Sequence, residues 1–202
     1  HTHNLAFSSF ARAHEPGAGA LPTTYEATPA TFMGIVRPDG RVATRNYIGV
    51  LTSVNCSASV ARFMAEAITK SGILAQYPNI DGIIPFVHGT GCGMASKGEG
   101  FDILKRTQWG YATNPNLAGV LLVGLGCEVF QISRMKELYN IVESDTFRTM
   151  TIQDTGGTRK TIEAGVAAIK EMLPKANDVR RETISASELI LALQCGGSDG
   201  YS

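Results

Sequence analysis

Four cysteines, Cys56, Cys92, Cys127 and Cys195, each follow an apolar run and open a turn rich in glycine or serine. Their intervals are 36, 35 and 68 residues, the last close to twice either of the others. A strand–helix–strand unit takes about 30 residues or more. The spacing therefore predicts one cysteine at the same point of successive units, with one unit skipped, and the skipped unit carries Asp154-Thr-Gly-Gly157 there. A thiolate so placed is a nucleophile or a soft metal ligand. The plainer alternative is a small buried hydrophobe, since free Cys is among the most buried residue types. No C-x-x-C pair occurs, so neither a zinc ribbon nor a thioredoxin-type site is indicated. Structural disulfides are not expected without a sign of secretion.

His88-Gly-Thr-Gly-Cys-Gly93 is the densest candidate for a site. Glycines at alternate positions let backbone N–H groups approach a carboxylate or phosphate closely, which makes Gly89, Thr90 and Gly91 candidate substrate contacts. His88 is a candidate base, acid or ligand, and a hydrogen-bonded loop histidine accounts for it equally well. The segment matches neither the G-x-G-x-x-G fingerprint nor the P-loop. Asn55 adjoins Cys56 and Glu128 adjoins Cys127, which puts both on the same expected rim. His1 and His3 would share one face of a strand as a pair of metal ligands, or else belong to a frayed terminus. Arg45, next to Asn46, is a candidate carboxylate clamp or a surface cation. Trp109 and Tyr111 read as packing.

Alternating strands and helices must position these residues. Phe32–Val36, Pro38-Asp-Gly40 and Arg41–Ala43 predict a short hairpin. Strands are predicted at 47–54, 82–87, 118–123, 149–153 and 188–193. Pro85 marks the second as an edge or bulge, and the third is apolar on both faces, as a central parallel strand is. Apolar positions at helical spacing fall at Val60, Phe63, Met64, Ala67 and Ile68. Others run from Ile132 to Val142 and from Ile162 to Leu173, the last ending at Pro174; a further helix is expected over 99–107. The pattern predicts an open, mostly parallel, three-layer αβα sheet of Rossmann-like form with an irregular N-terminal arm. Strand carboxyl ends form the ligand crevice of such a sheet. The expected divisions are 1–31 as the end of a small domain plus linker, 32–194 as the α/β domain, and 195–202 as the start of a further region. With no initiator Met and a stop in a glycine-rich turn, the chain is expected to continue at both ends.

Composition narrows the function. Eighteen basic and 18 acidic residues in 202 give zero net charge, no footprint for nucleic acid or an anionic membrane. The apolar run Gly119–Gly126 is too short to span a bilayer.

Taken together, Gly34-Ile-Val-Arg-Pro-Asp-Gly-Arg41, Thr44-Arg-Asn-Tyr-Ile-Gly-Val-Leu51, Ser53-Val-Asn-Cys-Ser-Ala58, His88-Gly-Thr-Gly-Cys-Gly-Met94, Gly124-Leu-Gly-Cys-Glu128 and Cys195-Gly-Gly-Ser-Asp199 resemble the altronate/galactarate dehydratase family of sugar-acid hydro-lyases. The wording around Arg45 and Cys56 is closer to the altronate branch. The resemblance runs from about Phe32 to the end and implies a cytoplasmic, iron(II)-dependent dehydratase of hexuronate catabolism. It implies conversion of D-altronate to 2-dehydro-3-deoxy-D-gluconate and water, with Mn2+ as a substitute metal and the rest of a longer chain completing the site. Such a reaction needs an acid and a base beside a metal that polarises the leaving hydroxyl. The expected assignment gives proton transfer to His88, Glu128 and His3. It gives metal binding to Cys56, Cys92, Cys127, Cys195, His1 and His3, and substrate binding to Arg45, Asn46, Asn55, Gly89, Thr90 and Gly91. The expected partner is a small sugar acid, with no nucleic acid or membrane; a homo-oligomer is left open. The alternatives are a galactarate dehydratase and a non-catalytic α/β support or ligand-binding module of a larger enzyme.

Overall fold

A computed structural model describes residues 25–26 and 28–192. The chain divides into two units, Met33–Thr183 and a smaller one made of His1–Phe32 with Ile184–Ser202. The larger unit is built on four strands: β3 (Tyr47–Thr52), β4 (Gly82–Phe86), β5 (Leu117–Gly124) and β6 (Phe147–Thr151). β1 (Thr31–Val36) and β2 (Val42–Ala43) form the expected hairpin, with Ile35 opposite Ala43. With β7 (Glu182–Ser185) they make a sheet ordered β2-β1-β7.

The four-stranded sheet is parallel throughout, in the order β4-β3-β5-β6. Pro85 sits on the edge strand, where its missing N–H costs no ladder bond. β5 is central, and Val120–Gly124 are buried without a break. Helices cover both faces. α1 (Ala58–Lys70) and α5 (Thr158–Asn177) bury Val60, Met64, Ile68, Ile169 and Met172 against Ile48, Val50, Leu121 and Val123. On the other face, α2 (Glu99–Ala112) and α3 (Ile132–Tyr139) bring Phe101 and Met135 onto Leu51, Val120 and Leu122. Side chains alternate across a strand, so consecutive residues of β3 feed opposite cores. This is the expected three-layer αβα architecture.

Four local expectations are corrected. Ile152–Thr155 is a helical turn, α4, capped by Thr151, because a Thr side chain accepting the Asp154 N–H starts a helix where an apolar count reads strand. α5 runs through Pro174 to Asn177. Pro174 and Lys170, whose carbonyl the missing N–H would have served, both lie on the exposed side, where water replaces the lost bond. α2 runs past Thr107 to Ala112. The strand expected at 188–193 is absent from its described part. A 3-10 turn occupies Ala186–Glu188, while Ile190 and Leu191 are 98% and 82% exposed. Among the described residues the parallel sheet therefore ends at β6.

The amino ends of the strands are locked by Asn46. It is fully buried; its Nδ2 donates to Asn79 O (2.8 Å) and Ala176 O (2.9 Å), and its Oδ1 accepts from the Arg37 guanidinium (2.8 Å). One side chain thereby joins the β1–β2 turn, the approach to β4 and the end of α5. Asn46→Ala leaves two carbonyls and a guanidinium N–H without their partner, at a cost of about 3 kcal/mol. Chemical denaturation of the intact protein is expected to show that loss as a lower midpoint with an unchanged slope.

Candidate active site

Aligned register sets the carboxyl ends of all four strands on one edge, with Phe86, Thr52, Val123 and Thr151 near its limit. Chain order reverses at β3, since β4 lies on one side of it and β5 on the other. That topological switch point opens a crevice between the ends of β3 and β5. Asn55 and Cys56 leave β3 there, and Cys127 and Glu128 leave β5.

The His88 loop is clipped across this crevice. Asn55 N donates to Thr90 O (2.8 Å), and Val129 N donates to Gly91 O (3.4 Å). Gly91 is required for the approach: its φ is +97°, and a Cβ there would stand 2.8 Å from Ser53 O. Only glycine takes that backbone without strain. With the loop held from both sides, Cys92 is carried toward Cys56 and Cys127. All three thiols are free and exposed, which removes the reading of these residues as buried packing. The Cys56 thiol pKa is raised, first by partial desolvation and then by the neighbouring Cys92 and Cys127. Asn55 Oδ1 accepts from Cys56 Sγ at 3.6 Å.

Glu128 is buried. Its Oε1 accepts from Ser53 Oγ (2.5 Å) and Leu125 N (3.2 Å), and its Oε2 from Gly126 N (2.5 Å). So engaged, the carboxyl group braces the β3 and β5 turns against each other. His88 follows β4, half-buried, with Nε2 3.0 Å from Thr52 O and Nδ1 accepting from Thr90 N at 3.3 Å. Gly89 and Thr90 are exposed beside it. Asp154 also reaches this edge, where Thr151 and Gln153 join it around a cavity of about 610 Å3 that touches Gly126. A second cavity, about 310 Å3, is lined by His88, Thr90, Gln108 and the apolar Phe86, Ile103 and Tyr111.

Arg45 and Asn46 are not on this rim. They precede β3, a strand of six residues, and so lie roughly 20 Å from its far end at the usual rise. Arg45 pairs with Asp81 at 3.7 Å and is 61% exposed, while Asn46 is the buried lock described above. A cavity of about 680 Å3 also opens at that opposite end, among Arg37, Arg41, Asn114 and Arg180. His1, His3 and Cys195 lie outside the described residues. Trp109 stacks on Tyr139 with centroids 4.5 Å apart, a packing role as expected. Ser53 and Gln108 were not singled out by sequence. Ser53 opens the Ser53-Val-Asn-Cys-Ser-Ala58 motif, where the neighbouring Asn55 and Cys56 draw the attention, and Gln108 lies one residue past the expected end of its helix.

Three thiols suit iron in kind, since soft sulfur ligands favour such metals. Among the described residues, however, no group of three or more His, Cys, Asp or Glu is arranged to hold a metal ion. The donor chemistry fits iron; the described part of the rim does not by itself close a coordination shell. The brace is directly testable. Glu128→Gln turns one acceptor into a donor facing N–H or O–H groups, so about 1–3 kcal/mol of stability should be lost. Hydrogen exchange at the Gly126 amide should accelerate while the amides of α5 stay protected.

Comparison with known proteins places the fold and rim in context. Residues 34–177 match the family model described as D-galactarate dehydratase/Altronate hydrolase, second domain. The chain is 32% identical over 179 residues to the altronate dehydratase of Bacillus subtilis (strain 168), covering 88% of this chain and 34% of that protein. It is 35% identical over 178 residues to the galactarate dehydratase (L-threo-forming) of Escherichia coli (strain K12), covering 85% of this chain and 34% of that one. Identity to the altronate dehydratase of the same E. coli strain is 30% over 166 residues, covering 82% and 32%. The chain thus spans about a third of the length of these relatives. These matches show that the chain belongs to the D-galactarate dehydratase/altronate hydrolase family, as its second domain.

Proposed function

We propose that this domain contributes the proton-transfer and thiol side of a sugar-acid hydro-lyase. The observation that carries the reading is the gathering of three exposed thiols, Cys56, Cys92 and Cys127, at the β3–β5 crevice by the loop that begins at His88. The reaction removes a proton from the carbon next to a carboxylate and expels hydroxide from the neighbouring carbon. Proton and hydroxide leave as water, and the resulting enol becomes a 2-oxo acid. His88 takes the proton, from a ring held by Thr52 O and Thr90 N. Thr90 and the flanking glycines present backbone to the substrate carboxylate, a task the distant Arg45 does not perform from the other end of β3. Glu128 keeps the rim rigid rather than moving the proton.

Cys56, Cys92 and Cys127 would hold iron(II), or Mn2+ in its place, with Cys195, His1 and His3 as further expected ligands. When bound, the ion would polarise the departing hydroxyl. The substrate we favour is D-altronate, yielding 2-dehydro-3-deoxy-D-gluconate. Galactarate is the second reading, because a relative named for that acid is 35% identical to this chain, against 32% and 30% for those named for altronate. The remainder of a longer chain completes the site, the setting is the cytoplasm, and copies assemble as a homo-oligomer. Among the described residues no helix is long and apolar enough to cross a membrane.

The test is turnover of altronate and galactarate by the full-length protein, with and without ferrous ion. His88→Asn should lower kcat by about 100-fold or more, the range of a lost general base. Cys127→Ser should lower bound iron. Unchanged turnover and iron content would remove the residue concerned from the mechanism. A folded, iron-loaded protein that dehydrates neither acid would reject the hydro-lyase reading.

A further inference from the structure

Behind His88 stands a residue with an unusual hydrogen-bond balance. Gln108, on α2, is 5% exposed. Its Nε2 donates to Thr52 O (3.2 Å) and Ser53 O (3.1 Å), so both amide hydrogens go to the end of β3. Its Oε1 is the one buried side-chain N or O atom without a partner among the described residues. Leaving a buried oxygen unpaired is unfavourable, and an apolar side chain of similar size would avoid it. Turning the amide over would press that oxygen against two carbonyls. The side chain therefore keeps the orientation that serves Thr52 and Ser53.

Thr52 O is also the partner of His88 Nε2, at 3.0 Å. The two nitrogens that converge on it, Gln108 Nε2 and His88 Nε2, are 3.2 Å apart. On the opposite side of the ring, Thr90 N–H points at Nδ1. A proton on Nδ1 would set two N–H groups head to head. The ring hydrogen thus belongs on Nε2, donated to Thr52 O, and the Nδ1 lone pair faces the exposed glycine loop. Which ring nitrogen carries the proton is set by the bond the other makes. The Thr90 bond, at 3.3 Å, is long enough to yield to a substrate.

We propose that Gln108 is a positioning residue: by holding the Thr52 and Ser53 carbonyls, it seats His88 in the Nε2–H tautomer, leaving Nδ1 unprotonated, with only the long Thr90 N–H bond for a substrate to displace. This rests on the reading of His88 as the group that moves the proton. The experiment separates the two. The full-length protein is labelled with 15N-histidine, and the His88 signals are identified by their loss in His88→Asn. Both ring nitrogens are then read by NMR in the wild type and in Gln108→Met, alongside kcat and KM for altronate and galactarate.

The wild type should show Nε2 protonated and Nδ1 bare. Gln108→Met, which keeps the volume and removes the amide, should mix the two tautomers. Its kcat should fall roughly 10-fold or more, a fraction of a full general-base loss, with KM changed less than about 3-fold. A wild-type ring protonated on Nδ1 would overturn the proposal, whether or not the variant folds. So would a folded Gln108→Met with unaltered tautomer and kcat. If His88→Asn stays active while Gln108→Met still mixes the tautomers, the seat stands and the assigned role of His88 falls.

Discussion

The rim depends on one buried carboxyl group. Glu128 reaches across the switch point of the sheet and takes the Ser53 hydroxyl from the β3 side and two backbone N–H groups from the β5 side. Parallel strands diverge into separate loops at their carboxyl ends, and nothing in the ladder itself ties those loops together. A group with several acceptor positions does, and out of bulk water each such bond is stronger than it would be on the surface. Gly124 serves the same contact: a Cβ there would run into the Glu128 carboxyl, Ile132 and Ser53.

From that brace the rest follows in order. The β3 and β5 turns are held at fixed separation, so Asn55 N and Val129 N can clip the His88 loop from two sides. Residue 91 is glycine because the loop there lies directly on the backbone of Ser53 and Val54. Cys92 then joins Cys56 and Cys127, three thiols from three different loops. The crevice is built from backbone contacts, and its reactive side chains stand on top of it, exposed. That is the reverse of a hydrophobic core and the usual condition of a functional rim.

The two ends of the sheet divide the labour. At the amino ends, Asn46 gathers the Arg37 guanidinium and two carbonyls in a fully paired, buried knot, an arrangement suited to stability. At the carboxyl ends the polar groups are partly paired or exposed: the thiols, the Thr90 N–H and the lone oxygen of Gln108. Unused hydrogen-bonding capacity of this kind is tolerated where chemistry needs it.

Much of this was legible in the residues alone. The period of about 35 residues, the alternation of apolar runs with helical stripes, and Pro85 as an edge signal determined the layered parallel sheet and the common rim, because burial on two faces imposes those patterns locally. What local pattern could not carry was direction and distance. Arg45 and Asn46 read as site residues because their types suit a carboxylate, yet they precede β3 and so stand at its far end. Residues 188–193 read as a strand because they are mostly apolar, while strand formation needs a partner, and the described part of that stretch has none. Glu128, legible as a rim residue, became a brace only through Ser53, 75 positions away. Gln108, 20 positions from His88, meets it only because a helix on one face leans over the end of the central strands. Sequence determines which faces must be covered, since hydrophobic burial is written in composition and period. Only the tertiary structure decides which polar groups share an acceptor, since a hydrogen bond is set by tenths of an ångström between residues the chain keeps far apart.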